Sequence, residues 1–149
     1  MNIEGELSNY DLMDWASLLQ IRLRGIYMLD ALPKKILKNE NVIVNLDKHS
    51  QPGTHWIAYK KVGSNVWYFD PIGNLQPPYE LDKYWKKENG VNIFYNVEHM
   101  QPLNSDFCGH LTLLFLANQL YLSDCGEHTR WWLLHYDLTQ VISMNIYKK

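Results

Sequence analysis

Cysteine is scarce in this chain of 149 residues, which holds only Cys108 and Cys125. Two thiols exclude a disulfide framework, and with no secretory signal at Met1-Asn2-Ile3-Glu4 they imply free thiols in a reducing, intracellular compartment. A basic excess is also missing: the formal charge is -2, so nucleic acid is not the expected partner. The longest largely apolar stretch, Leu111 to Ala117, is far too short to span a bilayer, and no membrane association is expected. Repeats, low-complexity tracts and linker composition are absent as well. What remains is one domain over residues 1–149, large enough to bury a core of its own.

The elements follow one another closely. Ser8-Asn-Tyr-Asp11 reads as a capped helix start, with Leu12, Trp15, Leu18 and Leu19 at helical spacing. Val42 to Leu46 reads as a buried strand, and His55 to Tyr59 and Val66 to Phe69 as two strands of a hairpin turning at Gly63-Ser-Asn65. Asp70 to Pro78 is a loop, because its three prolines cannot donate to a ladder. A surface helix over Tyr79 to Lys87 and a strand over Val91 to Val97 follow. Phe107 to Leu122 is strongly apolar with good helix formers, and Asn104, Ser105 and Asp106 offer caps ahead of it. A last helix over Glu127 to Leu138, with Trp131 and Trp132 in the core, and a short strand over Val141 to Tyr147 complete the expectation.

Three separated segments carry chemistry: Gly53-Thr-His55-Trp, Tyr68-Phe-Asp70-Pro, and Gln101-Pro-Leu-Asn-Ser-Asp-Phe-Cys108-Gly-His. A thiol is a poor nucleophile until ionised, and its ordinary pKa of about 8.5 falls at a helix N-terminus or beside a protonated histidine. Cys108 is placed in the first turn of a helix, and His55 is the candidate base. In a hairpin, His55 near the start of one strand and Asp70 at the end of its antiparallel partner fall at the same sheet edge, so Asp70 can accept the second ring N–H of His55. An oxyanion needs donors about 3 Å away, for which the Cys108 N–H and the Gln101 amide are candidates. Gly109 beside the thiol keeps the approach open. Trp56 serves as a groove wall or as core, and Asn104 as a cap or a substrate contact.

At these residues the chain resembles the adenovirus-type maturation proteases, in the group of cysteine peptidases that also contains the ubiquitin-like-protein-specific proteases. The order His, acidic residue, Gln, Cys is the family's, and it reverses the order found in papain. His55 followed by Trp56 is common to both branches, and the seven positions from Gln101 to Cys108 look like the adenoviral spacing. Asp70 stands where adenoviral enzymes mostly carry Glu. Leu7 to Asp11, Arg24 to Asp30 and Pro77 to Leu81 also look like segments of homologues encoded by DNA viruses and self-synthesising transposons.

The resemblance implies an α+β fold, a mixed sheet packed by helices with the catalytic Cys at the start of a buried helix, a papain-like arrangement in permuted order. It implies endopeptidase action on capsid or core precursors after small residues such as Gly, in the host cell and the virion. Adenoviral enzymes are also stimulated by a disulfide-linked peptide and by DNA. No Cys lies between Asp70 and Gln101 to receive such a peptide, and the charge balance is not basic, so neither is expected; no cofactor is.

Other readings stay open. The substrate is alternatively a ubiquitin-like protein, or the chain is an inactive relative retained as a capsid or scaffold binding module. Cys108, His110, Cys125 and His128 are zinc-ligand types. On a helix, however, Cys108 and His110 point about 200° apart, which disfavours one ion and disfavours His110 as the base. Cys125 reads as a spare thiol.

Overall fold

The computed structural model describes residues 6–47, 55–73, 76–96, 108–118, 121–124 and 129–132. The first helix, α1 (Asn9–Leu18), begins with the capping box read from the sequence. The Asp11 N–H donates to Ser8 Oγ at 3.1 Å, and the Ser8 N–H returns the bond to the Asp11 carboxylate at 2.9 Å. Two donors orphaned by the helix start are thus satisfied. Leu12, Trp15 and Ala16 are buried, while Leu18 and Leu19 lie half-buried at the helix end.

Five strands form one mixed sheet in the order β1 (Gly25–Met28), β2 (Asn39–Asn45), β3 (Trp56–Val62), β4 (Asn65–Phe69) and β5 (Asn92–Tyr95). β1 runs parallel to β2, β2 and β4 run antiparallel to β3, and β5 runs parallel to β4. The β3–β4 hairpin turns on Gly63 and Ser64, with Val62 opposite Asn65. Gly63 sits at φ 58°, a conformation a side chain would oppose. β2 explains the unbroken apolar run of the sequence: Ile43 enters the core on one face of the sheet, Val42 and Val44 the core on the other.

Helices cover both faces. α1 and α3 (Cys108–Leu116) pack one core against Ile43, Ala58 and Phe69. α2 (Tyr79–Trp85) covers the other, where Trp85 meets Tyr59 and Tyr68 edge-on. α2 was expected on the surface, yet Leu81, Tyr84 and Trp85 are buried, because its apolar stripe closes this second core. Buried charges there are fully engaged. Glu40 accepts from Arg24, Tyr59, Tyr84 and the Leu37 N–H, and Lys61 donates to three backbone carbonyls and pairs with Glu88.

Two expectations need correction. The helix expected over Phe107 to Leu122 ends at Leu116, with Asn118 at φ 61° turning the chain, and Tyr121 and Leu122 belong instead to β6 (Tyr121–Asp124). Asparagine tolerates that left-handed conformation better than other side-chain-bearing residues, so it ends a helix where apolar composition alone would prolong it. The helix expected from Glu127 is a strand over β7 (Thr129–Trp132), paired antiparallel with β6. β-branched and tryptophan residues suit a strand, and a partner four residues upstream outweighs local helical spacing. The strand expected over Val141 to Tyr147 lies outside the described residues. β1 was not anticipated: four residues carry too little alternation to be read without their parallel neighbour. No helix among the described residues is long and apolar enough to cross a membrane.

Candidate active site

The antiparallel register of β3 and β4 pairs Ala58 with Phe69, so His55, just before β3, and Asp70, just after β4, emerge at the same end of the sheet. His55 Nε2 lies 2.8 Å from Asp70 Oδ1. Asp70 is 1% exposed, and Oδ1 also accepts the Ile72 N–H at 3.0 Å, an Asx-type turn that folds the chain back past Pro71. Asp70 Oδ2 is buried without a hydrogen-bond partner among the described residues. The carboxylate is therefore committed to His55 through one oxygen.

Cys108 opens α3 and is buried in the same core as Trp56 and Phe69. His55 is hydrogen-bonded to Cys108 as well as, through Nε2, to Asp70. Burial works against the imidazolium, but the bonds and negative charge of Asp70 and Cys108 outweigh it and raise the His55 pKa from 6.5 to about 9. The three residues read from the sequence thus meet in one place, brought there by a strand start, a strand end and a helix start.

The neighbours are placed as follows. The Trp56 indole N–H donates to the Leu7 carbonyl at 3.0 Å, tying the segment before α1 to the strand that carries His55. Gly109 packs against α1: a Cβ there would lie 3.3 Å from Leu7 Cβ and 3.4 Å from Leu12 Cδ2. The glycine read as an open approach to the thiol is thus also what lets α1 and α3 come close. His110 is buried within α3. Gln101, Asn104, Cys125 and His128 lie outside the described residues, so the oxyanion donor and the zinc set are not brought to the site or removed from it.

A cavity of about 540 Å³ is lined by Leu7, Ile26, Met28, Asn45 and by Trp56, the residue after His55. Leu7 links it to the start of α3, since it forms a wall of the cavity and also packs on Gly109, the residue after Cys108. Asn45 is fully buried; its Oδ1 accepts the Asp47 N–H at 2.9 Å, while its Nδ2 has no partner among the described residues. Sequence reading passed over Asn45 because it ends an apolar run and resembles any strand-terminal asparagine. A second cavity of about 610 Å³, bordered by Tyr79, Asp82, Lys86 and Tyr95, lies against α2 and β5 and shares no lining residue with the His55–Cys108 centre.

No protein-family profile and no curated protein sequence matches the chain. Solved structures do. The SUMO protease Ulp1, with its catalytic cysteine oxidised to a sulfinic acid, superimposes with a TM-score of 0.53 at 13% identity, over 97% of this chain and 76% of that one. The ASFV pS273R protease gives a TM-score of 0.51 at 16% identity, over 97% of this chain and 65% of that one. Both are in the same clan as the adenovirus-type enzymes that the motifs resemble. At these identities the likeness is one of fold: a mixed five-stranded sheet between helices, with Cys108 at the start of α3, in the α+β architecture of Ulp1.

Proposed function

We propose that the chain is a cysteine endopeptidase in which Cys108 is the nucleophile, His55 the base and acid, and Asp70 the residue that orients His55. One observation carries the reading: a single buried-edge imidazole bonded on one side to a carboxylate and on the other to a thiol at a helix start. Asp70 accepts the Nε2–H of His55, and the Cys108 proton rests on the other ring nitrogen, so the reactive pair is a thiolate beside an imidazolium, in keeping with the raised His55 pKa. The thiolate attacks the scissile carbonyl carbon and the carbonyl π electrons collect on oxygen. The first-turn Cys108 N–H, with Gln101 as the proposed partner, receives that oxyanion. Collapse expels the amine, which takes the proton from His55, and leaves a thioester. His55 then deprotonates water, whose oxygen attacks the thioester; the acid leaves, and the thiolate beside protonated His55 is restored.

The cavity between Leu7, Asn45 and Trp56 is the proposed seat of the substrate backbone. A polypeptide substrate follows, and capsid or core precursors cleaved after small residues such as Gly are the proposed class. The fold likeness to Ulp1, named a SUMO protease, supports ubiquitin-like conjugates as the second reading. An electrophilic Gly-Gly peptide probe, followed by mapping of the adduct, tests the chemistry. Labelling is expected at Cys108, lost in Cys108→Ala and strongly slowed in His55→Ala. Labelling at Cys125, or equal labelling in His55→Ala, defeats the mechanism. Faster hydrolysis of a whole ubiquitin-like conjugate than of capsid-type peptides moves the assignment to the second reading.

A further inference from the structure

Asn96 lies one residue beyond β5, at the same end of the sheet as Asp70, and is 1% exposed. Its side chain bonds both backbone groups of Asp70. The Asp70 N–H donates to Asn96 Oδ1 at 2.8 Å, and Asn96 Nδ2 donates to the Asp70 carbonyl at 2.6 Å. We propose that Asn96 is a positioning residue for the catalytic centre, clamping the Asp70 backbone so that its carboxylate is delivered to His55. The inference rests on the reading of Cys108, His55 and Asp70 as a protease triad.

β4 ends at Phe69, and Pro71 has no N–H, so the chain at Asp70 loses the regular ladder where its carboxylate must be fixed. A side-chain amide replaces that ladder with one donor and one acceptor in a single plane. The Gly73 N–H adds a bond to the Asp70 carbonyl at 2.9 Å, and the Ile72 N–H one to Oδ1. Only a short neutral amide fits the task. A carboxylate at 96 lacks the donor and sets a second negative charge beside Asp70, while alanine leaves the buried Asp70 N–H without its partner, at a cost in local stability. The two Asn96 bonds run to the Asp70 backbone, and Asp70 in turn meets His55 at 2.8 Å, which gives Asn96 a path to the imidazole through Asp70. Among the described residues, the titratable groups acting on His55 are Asp70, from the end of β4, and Cys108, from α3; Tyr68, two residues before Asp70, is pushed up by burial and by the Asp70 charge.

The test follows the His55 imidazole by NMR as a function of pH in the full chain, for the native protein, Asn96→Ala and Asn96→Ser. Peptide hydrolysis and thermal melting are measured beside it. The His55 midpoint is expected to fall from about 9 toward 6.5 in Asn96→Ala, with kcat roughly tenfold lower and KM unchanged. Asn96→Ser, whose hydroxyl restores one of the two bonds, is expected between the two and covers the case in which alanine does not fold. A melting change or a lower kcat with the His55 titration unmoved shows a structural role only and overturns the inference. Because the titration needs no substrate, absence of peptidase activity in the native chain defeats the proposed function while leaving the clamp measurable.

Discussion

Replacing Asp70 by Asn removes the charge facing His55 while keeping an oxygen at nearly the same place. The shift of His55 from 6.5 to about 9 corresponds to about 3 kcal/mol in favour of the imidazolium, supplied by Asp70 and Cys108 together against a burial term that opposes it. With Asp70 neutralised, burial and the remaining bond to Cys108 nearly cancel, and the His55 midpoint is expected at or below 6.5. The high-pH limb of the hydrolysis profile should move down with it, from near 9 to below 7. At pH 7.5 this predicts a loss in kcat/KM on the order of 10- to 100-fold, reported by a fluorogenic peptide assay across pH 5 to 10. Stability gives a second reading of the same contact. His55 has a higher pKa folded than unfolded, so its contribution is full below about 6.5 and is lost as pH rises through about 9. Native thermal stability should therefore decline across that window, and the Asp70→Asn variant should show a flatter profile. A high-pH limb that stays near 9 in Asp70→Asn, or native stability that rises across the window, would refute the pairing as the source of the shift.

Other perturbations test neighbouring links. Gly109→Ala places a methyl 3.3 Å from Leu7 Cβ, so Leu7 must give by a few tenths of an ångström; a lower melting temperature by calorimetry is expected, and an unchanged one shows that Leu7 yields freely. Ser8→Ala removes one arm of the α1 capping box and should cost about 1 kcal/mol in denaturant unfolding, without moving the pH profile. Cys125→Ser should retain nearly all activity; a large loss would assign that thiol a role the mechanism does not give it.

The catalytic reading of the sequence rested on order and on one geometric inference, that a strand start and an antiparallel strand end share an edge. That inference needed only the hairpin, whose turn glycine and flanking aromatic and β-branched residues are local signals, and the structure places His55 and Asp70 within hydrogen-bond distance as it requires. Asn96 was illegible for the opposite reason. Its neighbour Asp70 is 26 positions away, and the two meet only because β5 runs parallel to β4, a pairing with no short turn to announce it. The same distinction separates the elements read correctly from those misread. α1 carries its own start signal in Ser8 and Asp11, whereas β7 becomes a strand through its pairing with β6, which no window over Thr129–Trp132 contains.

The sheet order also explains why a chain of this length can hold such a centre. β3 is central in the sheet, flanked by β2 and β4; its start carries His55 and Trp56 at the end of the sheet where Asp70 emerges, while its middle residues pack under α3. Cys108 is therefore held by a helix buried along its length, His55 by the central strand, and Asp70 by the adjacent strand. What is held less firmly is the Asp70 end of β4, where regular pairing stops and a proline follows. Positional error at that point reaches His55 through a single 2.8 Å contact, so side-chain bonds from Asn96 are needed there and not at Cys108, whose place is set by a helix buried along its whole length.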